Sequence, residues 1–471
     1  MQTQCTSNTF SFHKLGRRQI EAAFDGGQLS TDSGGLLLRE TERHLNLFNR
    51  LSACFTDYRQ ADAVEHPVSK LLKQRIYGLA LGYEDLNDHD ELRHDPLLAV
   101  LCDHSDPEGK QRRHEHDRGK ALAGKSTLNR LELTPSTANA QSRYQKIVAD
   151  HSAIGTLLVD LFLESRKKAP KRLILDMDAT DDKIHGEQEG RHFNKYYDSY
   201  CYIPLYIFCG DELLCSRLQT AKEDAAINSV EEISRLVSQI RQRWPRTKIL
   251  VRGDGGFCRD DLMSWCEENQ VDYLLGLPKN SRLLKALKLD QVLVKMAHQL
   301  TGASVRTFRE FRYRTQKSWS RERRVIGKAV HSDKGDNPRF VVTTLGRRHY
   351  KPRKLYEQIY CARGEMENRI KEQQLDLFAD RTSTHHFRSN QLRLYFTSFA
   401  YVLIQALRRI GLKGTKMAKA QSGTIRLKLL KLAGRITVSV RRVRLHLNAN
   451  YPYQALFRQV WQQLQLKPLP G

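Results

Sequence analysis

The order of predicted strands and helices in the middle of the chain indicates an α/β fold. Three apolar strands joined by turns come first, in KRLILDMDAT, CYIPLYIFCG and ELLCSRLQT. A helix, a strand, a second helix and a further strand follow, in AAINSVEEISRLVSQIRQRW, TKILVRGD, RDDLMSWCEENQ and VDYLLGLP. This is the element order of a ribonuclease-H-like fold, a mixed sheet in which the first and fourth strands are neighbours. Side chains at the ends of these two strands are therefore expected to lie close together.

Several domains are expected, because 471 residues exceed what one hydrophobic core usually supports. Apolar residues three and four apart predict an all-helical N-terminal region, and alternating apolar residues after the last core strand predict a β-rich insertion. The α/β core is thus predicted to be interrupted and then resumed by helices. The predicted regions are 1–150 (helical region), 170–284 and 353–405 (core), 285–352 (β-rich insertion), and 406–471 (basic C-terminal segment).

The helix that resumes the core carries one carboxylate among basic and aromatic groups. In YCARGEMENRIKEQQ, spacings of three, four, four and three residues place one set on a single helical face: Tyr360, Arg363, Glu367, Lys371 and Gln374. A second set with the same period is expected to be buried: Leu355, Ile359, Ala362, Met366, Ile370 and Leu377. The polar set is then a candidate working face. A plain surface helix with Glu367 and Lys371 paired is the alternative.

The positive charge is concentrated at the C-terminal end. The chain has a formal net charge of +25, and the residues after Asp380 contain 17 Lys and Arg and no acidic residue. Apolar residues are interleaved with these cations, as in IRLKLLKLAGRITVSVRRVRLHL. This pattern predicts a folded basic surface with a polyanionic partner, with an idle solvated face as the alternative.

Cysteine usage and hydropathy predict a cytoplasmic protein. The nine cysteines are scattered without a CxxC pair, so neither a zinc ribbon nor a disulfide framework is expected. No apolar run has signal-peptide character or the ~20 residues that a membrane span needs.

Two further carboxylates lie at the ends of the strands that are predicted to be neighbours. Asp178 ends the first core strand two residues after Asp176, so both side chains point to the same side of the sheet. Asp254 ends the fourth strand and precedes two glycines that allow a sharp turn. Together with Glu367, these acids would repel one another unless cations neutralised them, and oxygen ligands favour Mg²⁺ or Mn²⁺. Two such ions can activate an attacking oxygen and stabilise the leaving oxygen in phosphoryl transfer.

The runs LDMDATD, VRGDGGF and YCARGEMENRIKE resemble the DDE transposases of bacterial insertion sequences, in the branch with a β-rich insertion between the second Asp and the Glu. LALGYEDLNDHDELRHDP and LLKLAGRITVSVRRVRLHL also look like that branch, so the resemblance covers most of the chain. The separations of 76 residues between Asp178 and Asp254 and of 113 between Asp254 and Glu367 agree with such an insertion.

The glutamate helix is similar to the family's Y-x2-R-x3-E-x6-K pattern at Tyr360, Arg363 and Glu367. It departs from the pattern at Gln374, which stands where the family has Lys. Lys371, one turn after the glutamate, is the alternative source of that positive charge.

The resemblance implies a transposase that binds the terminal inverted repeats of its element, cleaves at the ends and joins them to target DNA, as a homodimer in the synaptic complex and in association with the nucleoid. The implied ligands of two Mg²⁺ or Mn²⁺ ions are Asp178, Asp254 and Glu367. Asp176 is the alternative to Asp178. Tyr360 and Arg363 would hold a phosphate or a flipped base near the cut, with ordinary helix packing as the alternative. A structure-selective nuclease and a non-catalytic DNA-binding protein on the same scaffold are the competing functions.

Two segments outside the core are expected to contact DNA. A short helix after a polar turn, with Lys125, Asn129 and Arg130, has the character of the second helix of a helix-turn-helix, although a structural helix is as good a reading. The basic C-terminal segment contributes the cluster Arg441, Arg442 and Arg444.

Overall fold

The computed structural model describes residues 9–466, which form two compact units. One unit contains the residues up to 148 together with those from 406 onward, and the other contains residues 149–405. The N-terminal region and the basic C-terminal segment, predicted separately, thus share one unit. The pairing of Ser30 with Gly434 and of Leu29 with Arg435 shows the local reason.

Helices dominate the N-terminal part of the chain. The elements in this part are β1 (Thr9–Leu15), β2 (Arg18–Ala23), β3 (Leu29–Ser30), α1 (Gly35–Arg43), α2 (Leu47–Ser52), β4 (Phe55–Asp57), α3 (Val68–Leu81), α4 (Asp88–Leu92), α5 (Pro96–Leu101), α6 (Lys125–Glu132) and β5 (Ile147–Ala149). The α3 helix is buried along most of its length. The β1–β2 hairpin, which the sequence pattern did not predict, has only exposed residues.

The second unit is built on one large mixed sheet. The elements from residue 151 to 410 are α7 (His151–Glu164), β6 (Arg172–Ala179), β7 (Asp182–Lys183), β8 (His192–Asn194), β9 (Ser199–Tyr202), β10 (Leu205–Cys209), β11 (Glu212–Arg217), α8 (Ser229–Arg243), β12 (Lys248–Gly253), α9 (Asp260–Glu268), β13 (Asp272–Leu277), α10 (Ser281–Ala286), α11 (Lys288–Thr301), β14 (Val305–Tyr313), β15 (Arg323–Ser332), β16 (Gly335–Asp336), β17 (Arg339–Thr343), α12 (Pro352–Lys354), α13 (Gly364–Lys371) and α14 (Phe387–Ile410).

The sheet order is β11-β10-β6-β12-β13-β17-β15-β14, with β16 paired to β15. The β6 strand runs antiparallel to β10 and parallel to β12. The predicted adjacency of the first and fourth core strands is therefore confirmed. Apolar residues of the strands pack with those of α7, α8 and α9 in one core, which includes Leu175, Ile207, Leu236, Val251 and Tyr273.

The region 285–352, predicted as a β-rich insertion, extends this same sheet. The β17 strand pairs antiparallel with β13, and β15 pairs with β17. Apolar residues of β17 cover the edge that β13 would otherwise leave open, as in the pairing of Val342 with Leu275. The region begins with α11, a 14-residue helix that was not predicted.

The helical segment 352–376 is not one regular α-helix. It contains π-helical turns at Leu355–Tyr360 and Glu372–Asp376 and a 3₁₀ turn at Cys361–Arg363 on either side of α13. Because each turn type has its own period, the predicted apolar face is interrupted. Ala362 is exposed and Ile359 only partly buried, whereas the remaining members are buried: Leu355, Met366, Ile370 and Leu377.

The basic C-terminal segment is folded. Its elements are α15 (Ser422–Ile425), β18 (Gly434–Val438), β19 (Val443–Leu447) and α16 (Gln454–Gln465). Some of its apolar residues are buried, as expected for a folded segment: Leu429, Leu430, Ile436, Val460 and Leu464. Others are exposed, among them Leu427, Val440 and Val443. Among residues 9–466, no helix has both the length and the apolar character required to cross a membrane.

Candidate active site

Asp178 and Asp254 lie at the ends of two parallel neighbouring strands. Asp178 is near the end of β6, and Asp254 follows β12. Arg363 donates a hydrogen bond to the Asp178 carboxylate at 3.0 Å, and its guanidinium is 3.7 Å from the Glu367 carboxylate. A single arginine thus joins β6 to the helix that carries Glu367.

The charges of these groups act on one another. The pKa of Asp178 is raised to about 6, mainly by burial and also by the nearby Asp254 and Glu367 carboxylates, against the lowering effect of Arg363. Burial lowers the pKa of Arg363, but the same three carboxylates outweigh it and leave that pKa above its ordinary value. The site is therefore an anionic centre that stabilises a cation, and the guanidinium of Arg363 is the cation that the structure shows there.

Asp176, the alternative first ligand, has a different role. Its carboxylate accepts two hydrogen bonds from Arg252 of β12, at 2.5 Å and 2.7 Å, and Asp176 is only 6% exposed. Arg252 also donates to the carbonyl of Ile359 in the π-helical turn. Both oxygens of Asp176 are thus used to hold β6, β12 and the helical segment together, whereas Asp178 remains half-buried at the strand end.

Tyr360 lies close to the strand ends near Asp254. Asp254 itself accepts a hydrogen bond from the backbone N–H of Gly256 at 2.9 Å, which caps the 3₁₀ turn that follows. A Cβ atom at Gly276 of β13 would lie 2.6 Å from the Tyr360 hydroxyl and 2.8 Å from the Gly255 nitrogen. Only glycine at position 276 permits this approach.

A cavity of about 460 Å³ opens beside Tyr360. It combines aromatic rings with cationic side chains, and its lining includes Lys279, Arg339, Phe340, Tyr356 and Tyr360. The rings of Tyr356 and Tyr360 are 5.5 Å apart. Burial raises the pKa of Tyr360, and the nearby Asp254 acts in the same direction against Arg363, so the phenol remains a neutral hydrogen-bonding group.

The last two residues of the predicted polar face have different surroundings. Lys371 is exposed, and within the described part of the chain Glu367 pairs with Arg363 and not with Lys371. Gln374 donates at 3.1 Å both to the Asp181 carbonyl and to the Asp182 carboxyl group. Burial raises the pKa of Asp182 well above its ordinary value. Lys371 follows Glu367 by four residues within α13, as the predicted face requires, whereas Gln374 lies in the π-helical turn Glu372–Asp376 and departs from that face.

The donor chemistry at the strand ends fits hard divalent cations, since Asp178, Asp254 and Glu367 offer only carboxylate oxygens. Within residues 9–466, however, no three acidic, His or Cys side chains are already grouped closely enough to hold a metal ion. Arg363 lies between two of the three acids. Glu367 is 52% exposed at its side chain, which leaves it free to change rotamer.

The DNA-contact residues predicted outside the core lie in the other unit. Lys125 begins α6, and its ammonium group contacts Asn87 at 3.2 Å and Asp90 at 3.4 Å. Asn129 and Arg130 line a cavity of about 500 Å³ that Tyr144 also lines. The three arginines of the C-terminal cluster are exposed on the β18–β19 hairpin, at its turn and in β19: Arg441, Arg442 and Arg444.

A family model described as "Transposase DDE domain group 1" matches residues 12–469. The chain belongs to this transposase family. No curated protein matches it. Among solved structures, the chain is similar to a piggyBac transposase in a synaptic complex with hairpin DNA, determined by cryo-EM. The identity is 10% and the TM-score 0.38, over 92% of this chain and 83% of that one.

Two residues of this transposase were missed by sequence reasoning. Arg252 stands inside the apolar run ILVRGD, and a cation within a buried strand is itself a signal for a buried anionic partner, here Asp176. Arg339, at the start of β17, reaches the Tyr360 cavity from the insertion. The sequence carries no local signal for that contact.

Proposed function

We propose that this protein cleaves DNA at the ends of a bacterial insertion sequence and joins them to target DNA, with Asp178, Asp254 and Glu367 as metal ligands. The observation that carries the proposal is the bridge of Arg363 between Asp178 and Glu367, beside Asp254, at the ends of β6 and β12. Two of the three acids contact this arginine, and Asp254 is close enough to raise its pKa. The strand order β11-β10-β6-β12-β13 supports a ribonuclease-H-like core beneath them.

Two Mg²⁺ or Mn²⁺ ions would be held by the three carboxylates, and when bound they would activate the attacking oxygen and neutralise the leaving oxygen. The remaining roles belong to the chain. Arg363 would turn from Asp178 to a DNA phosphate, for which its planar guanidinium is suited. Tyr360, with the aromatic and cationic cavity beside it, would hold a phosphate or an unstacked base. Asp176 would have no ligand role, because both its oxygens accept from Arg252.

DNA binding is assigned to the unit that contains both chain ends. Arg441, Arg442 and Arg444 on the β18–β19 hairpin would contact phosphates without reading sequence. Arg130 and Asn129 on α6 are the candidates for recognising the terminal inverted repeats, while Lys125 is partly engaged by Asp90. The working form would be a homodimer in the cytoplasm, associated with the nucleoid, because the two ends of one element must be brought together.

The test is a cleavage and joining assay with the purified full chain, Mg²⁺ or Mn²⁺ and a DNA fragment that carries the element's ends. Asp178→Asn, Asp254→Asn and Glu367→Gln should each abolish cleavage and leave DNA binding in place. Glu365→Gln is the matched control, since Glu365 is an exposed acid in the first turn of the same helix α13.

Three results would contradict the proposal. Cleavage in a chelator-treated sample would show that the reaction does not require metal ions. Cleavage by Asp178→Asn, with no cleavage by Asp176→Asn, would make Asp176 the first metal ligand in place of Asp178. Cleavage without any joined product, under conditions that allow joining, would favour a structure-selective nuclease.

A further inference from the structure

The outer face of α11 is apolar and exposed. On the inner face, Val294 is buried and Gln291 donates to the Val330 carbonyl at 2.9 Å, so this side packs on the sheet. The opposite side carries four large apolar residues, here called the α11 stripe, with exposed fractions between 55% and 87%: Leu289, Leu293, Met296 and Leu300. Isolated exposed apolar residues are normal on a protein, but a contiguous row on one helix indicates an interface.

The spacing of the α11 stripe is that of a helix–helix seam. Its members are separated by four, three and four residues, the a/d pattern of a coiled coil. At about 100° per residue, Val292 and Gln299 flank one side of the stripe, and Asp290 and Ala297 flank the other. Asp290 is already paired with Arg309 at 3.1 Å.

This charge distribution fits a second copy of the chain better than a charged partner. The flanking positions include no free cation for DNA or for an anionic membrane surface, and no uncompensated charge that would repel its own copy across a two-fold axis. Lys288 and Lys295 lie about a third of a turn from the centre of the stripe.

The exposed apolar area of α11 is also large enough for a protein–protein interface. The stripe, together with Val292 at 48% exposure, forms a patch on the order of 500 Å² in each copy. Two such patches would bury about 1,000 Å², which is the lower bound for a specific protein–protein interface.

We infer that α11 is the surface through which two copies of this chain associate. The α11 stripes of the two copies pair as a short two-helix seam, and the region 285–352 thereby adds a dimer contact to the catalytic unit. The inference deepens the proposed homodimer and rests on it for the identity of the partner.

The first experiment measures the solution mass of the full chain by light scattering, at two concentrations and without DNA. Wild type is expected at the mass of two 54.5 kDa chains. Leu293→Lys/Met296→Lys should shift to the mass of one chain, with dimerisation weakened at least about tenfold, because each copy then brings two desolvated ammonium groups to the seam. The matched control is Ile227→Lys/Leu427→Lys, which replaces apolar residues that are 49% and 71% exposed elsewhere. This control should remain dimeric.

The second experiment is disulfide cross-linking in a background with Cys5→Ser and Cys361→Ser. Leu293→Cys should give a covalent dimer under mild oxidation, whereas Leu427→Cys should not. Circular dichroism confirms that each variant is folded.

A monomeric wild type, or a Leu293→Lys/Met296→Lys variant with unchanged dimer mass, would overturn the inference. Neither result would affect the proposed chemistry, which is judged by cleavage of the element's ends. Conversely, a wild-type dimer that fails to cleave would contradict the proposed function without contradicting the inferred interface.

Discussion

Replacing Arg252 by Met tests which aspartate on β6 belongs to the metal site. The Arg252 and Asp176 side chains are only 7% and 8% exposed and share two charge-assisted hydrogen bonds. Arg252→Met leaves the Asp176 carboxylate buried without its cation and frees the Ile359 carbonyl. Breaking a buried pair on one side costs about 3–5 kcal/mol in the free energy of unfolding.

The expected loss of stability in Arg252→Met is measured in a thermal melt of the metal-free full chain. For a unit of this size, 1 kcal/mol corresponds to about 2–4 °C, so Tm for the unit of residues 149–405 should fall by roughly 10 °C. The destabilisation of Arg252→Met should become smaller when the pH falls below about 3.9, the pKa of an aspartate carboxyl group in the unfolded chain, because Asp176 is then protonated in both the folded and the unfolded state. Asp176→Asn should cost a similar amount, about 3–5 kcal/mol, because it leaves the Arg252 guanidinium buried without its counter-charge and turns an amide N–H toward it.

A double-mutant cycle completes the test. Arg252→Met/Asp176→Asn should be more stable than the sum of the single changes predicts, by about 2 kcal/mol. Asp176→Asn should still cleave DNA in proportion to its folded fraction. The reasoning is refuted if Arg252→Met melts within 2 °C of wild type, or if folded Asp176→Asn neither binds metal nor cleaves.

Three further predictions concern the site and the basic surface. Because burial raises the folded pKa of Asp178 to about 6, metal-free wild type loses stability as the pH rises from about 3.8 to about 6. At ~1.4 kcal/mol per pKa unit, the free energy of unfolding of Asp178→Asn relative to that of wild type should therefore rise by up to about 3 kcal/mol between pH 4 and pH 7.5, in thermal melts with chelator. An equal difference between variant and wild type at both pH values would contradict this. Gly276→Ala should lower cleavage at least about tenfold with DNA binding retained, since its Cβ would meet the Tyr360 hydroxyl and the Gly255 backbone, whereas Gly346→Ala, where nothing lies within 4 Å, should cleave normally. Finally, changing Arg441, Arg442 and Arg444 to Glu should weaken binding to all duplexes and reduce the slope of log affinity against log salt by about 0.9 per lost phosphate contact. An unchanged slope in a folded variant would assign that charge to something other than DNA.

The order of the central strands was predictable because each strand is marked locally. The Gly210–Asp211 turn indicates the β10–β11 hairpin, and Gly210 adopts a φ of +64° there. Apolar runs that end in carboxylates mark β6 and β12, and the element order then implied their adjacency. Asp178 and Asp254 could therefore be placed together from the sequence, whereas the continuation of the sheet into β17 could not, since no local pattern specifies which edge a later strand will join.

The α11 helix was missed although its sequence, KLDQVLVKMAHQLT, carries a local signal. Leu289, Leu293, Met296 and Leu300 recur at helical spacing, and only Val294 of this helix is buried. Its neighbours FREFRYRTQ and RRVIGKAVHS do alternate, and the β-rich prediction was extended over the helix. The exposed apolar side of this helix is the observation from which its role as an interface is inferred.

The contrast between the two arginines at the site shows why sequence pattern alone left the choice between Asp176 and Asp178 open. Both acids lie on one strand two residues apart, and each has an arginine partner. Arg252 comes from within the sheet, is buried, and donates to both oxygens of Asp176 and to the Ile359 carbonyl. Arg363 comes from a 3₁₀ turn at the edge of the sheet, contacts two carboxylates at 3.0 Å and 3.7 Å, and neighbours an exposed Glu367. A buried arginine with a fixed partner, such as Arg252, stabilises the fold. An arginine that contacts two carboxylates beside an exposed acid, such as Arg363, can exchange those carboxylates for a phosphate. The helical segment contacts Arg252 through the Ile359 carbonyl and Asp178 through Arg363, so the irregular turns between these two residues set the distance between the structural arginine and the site.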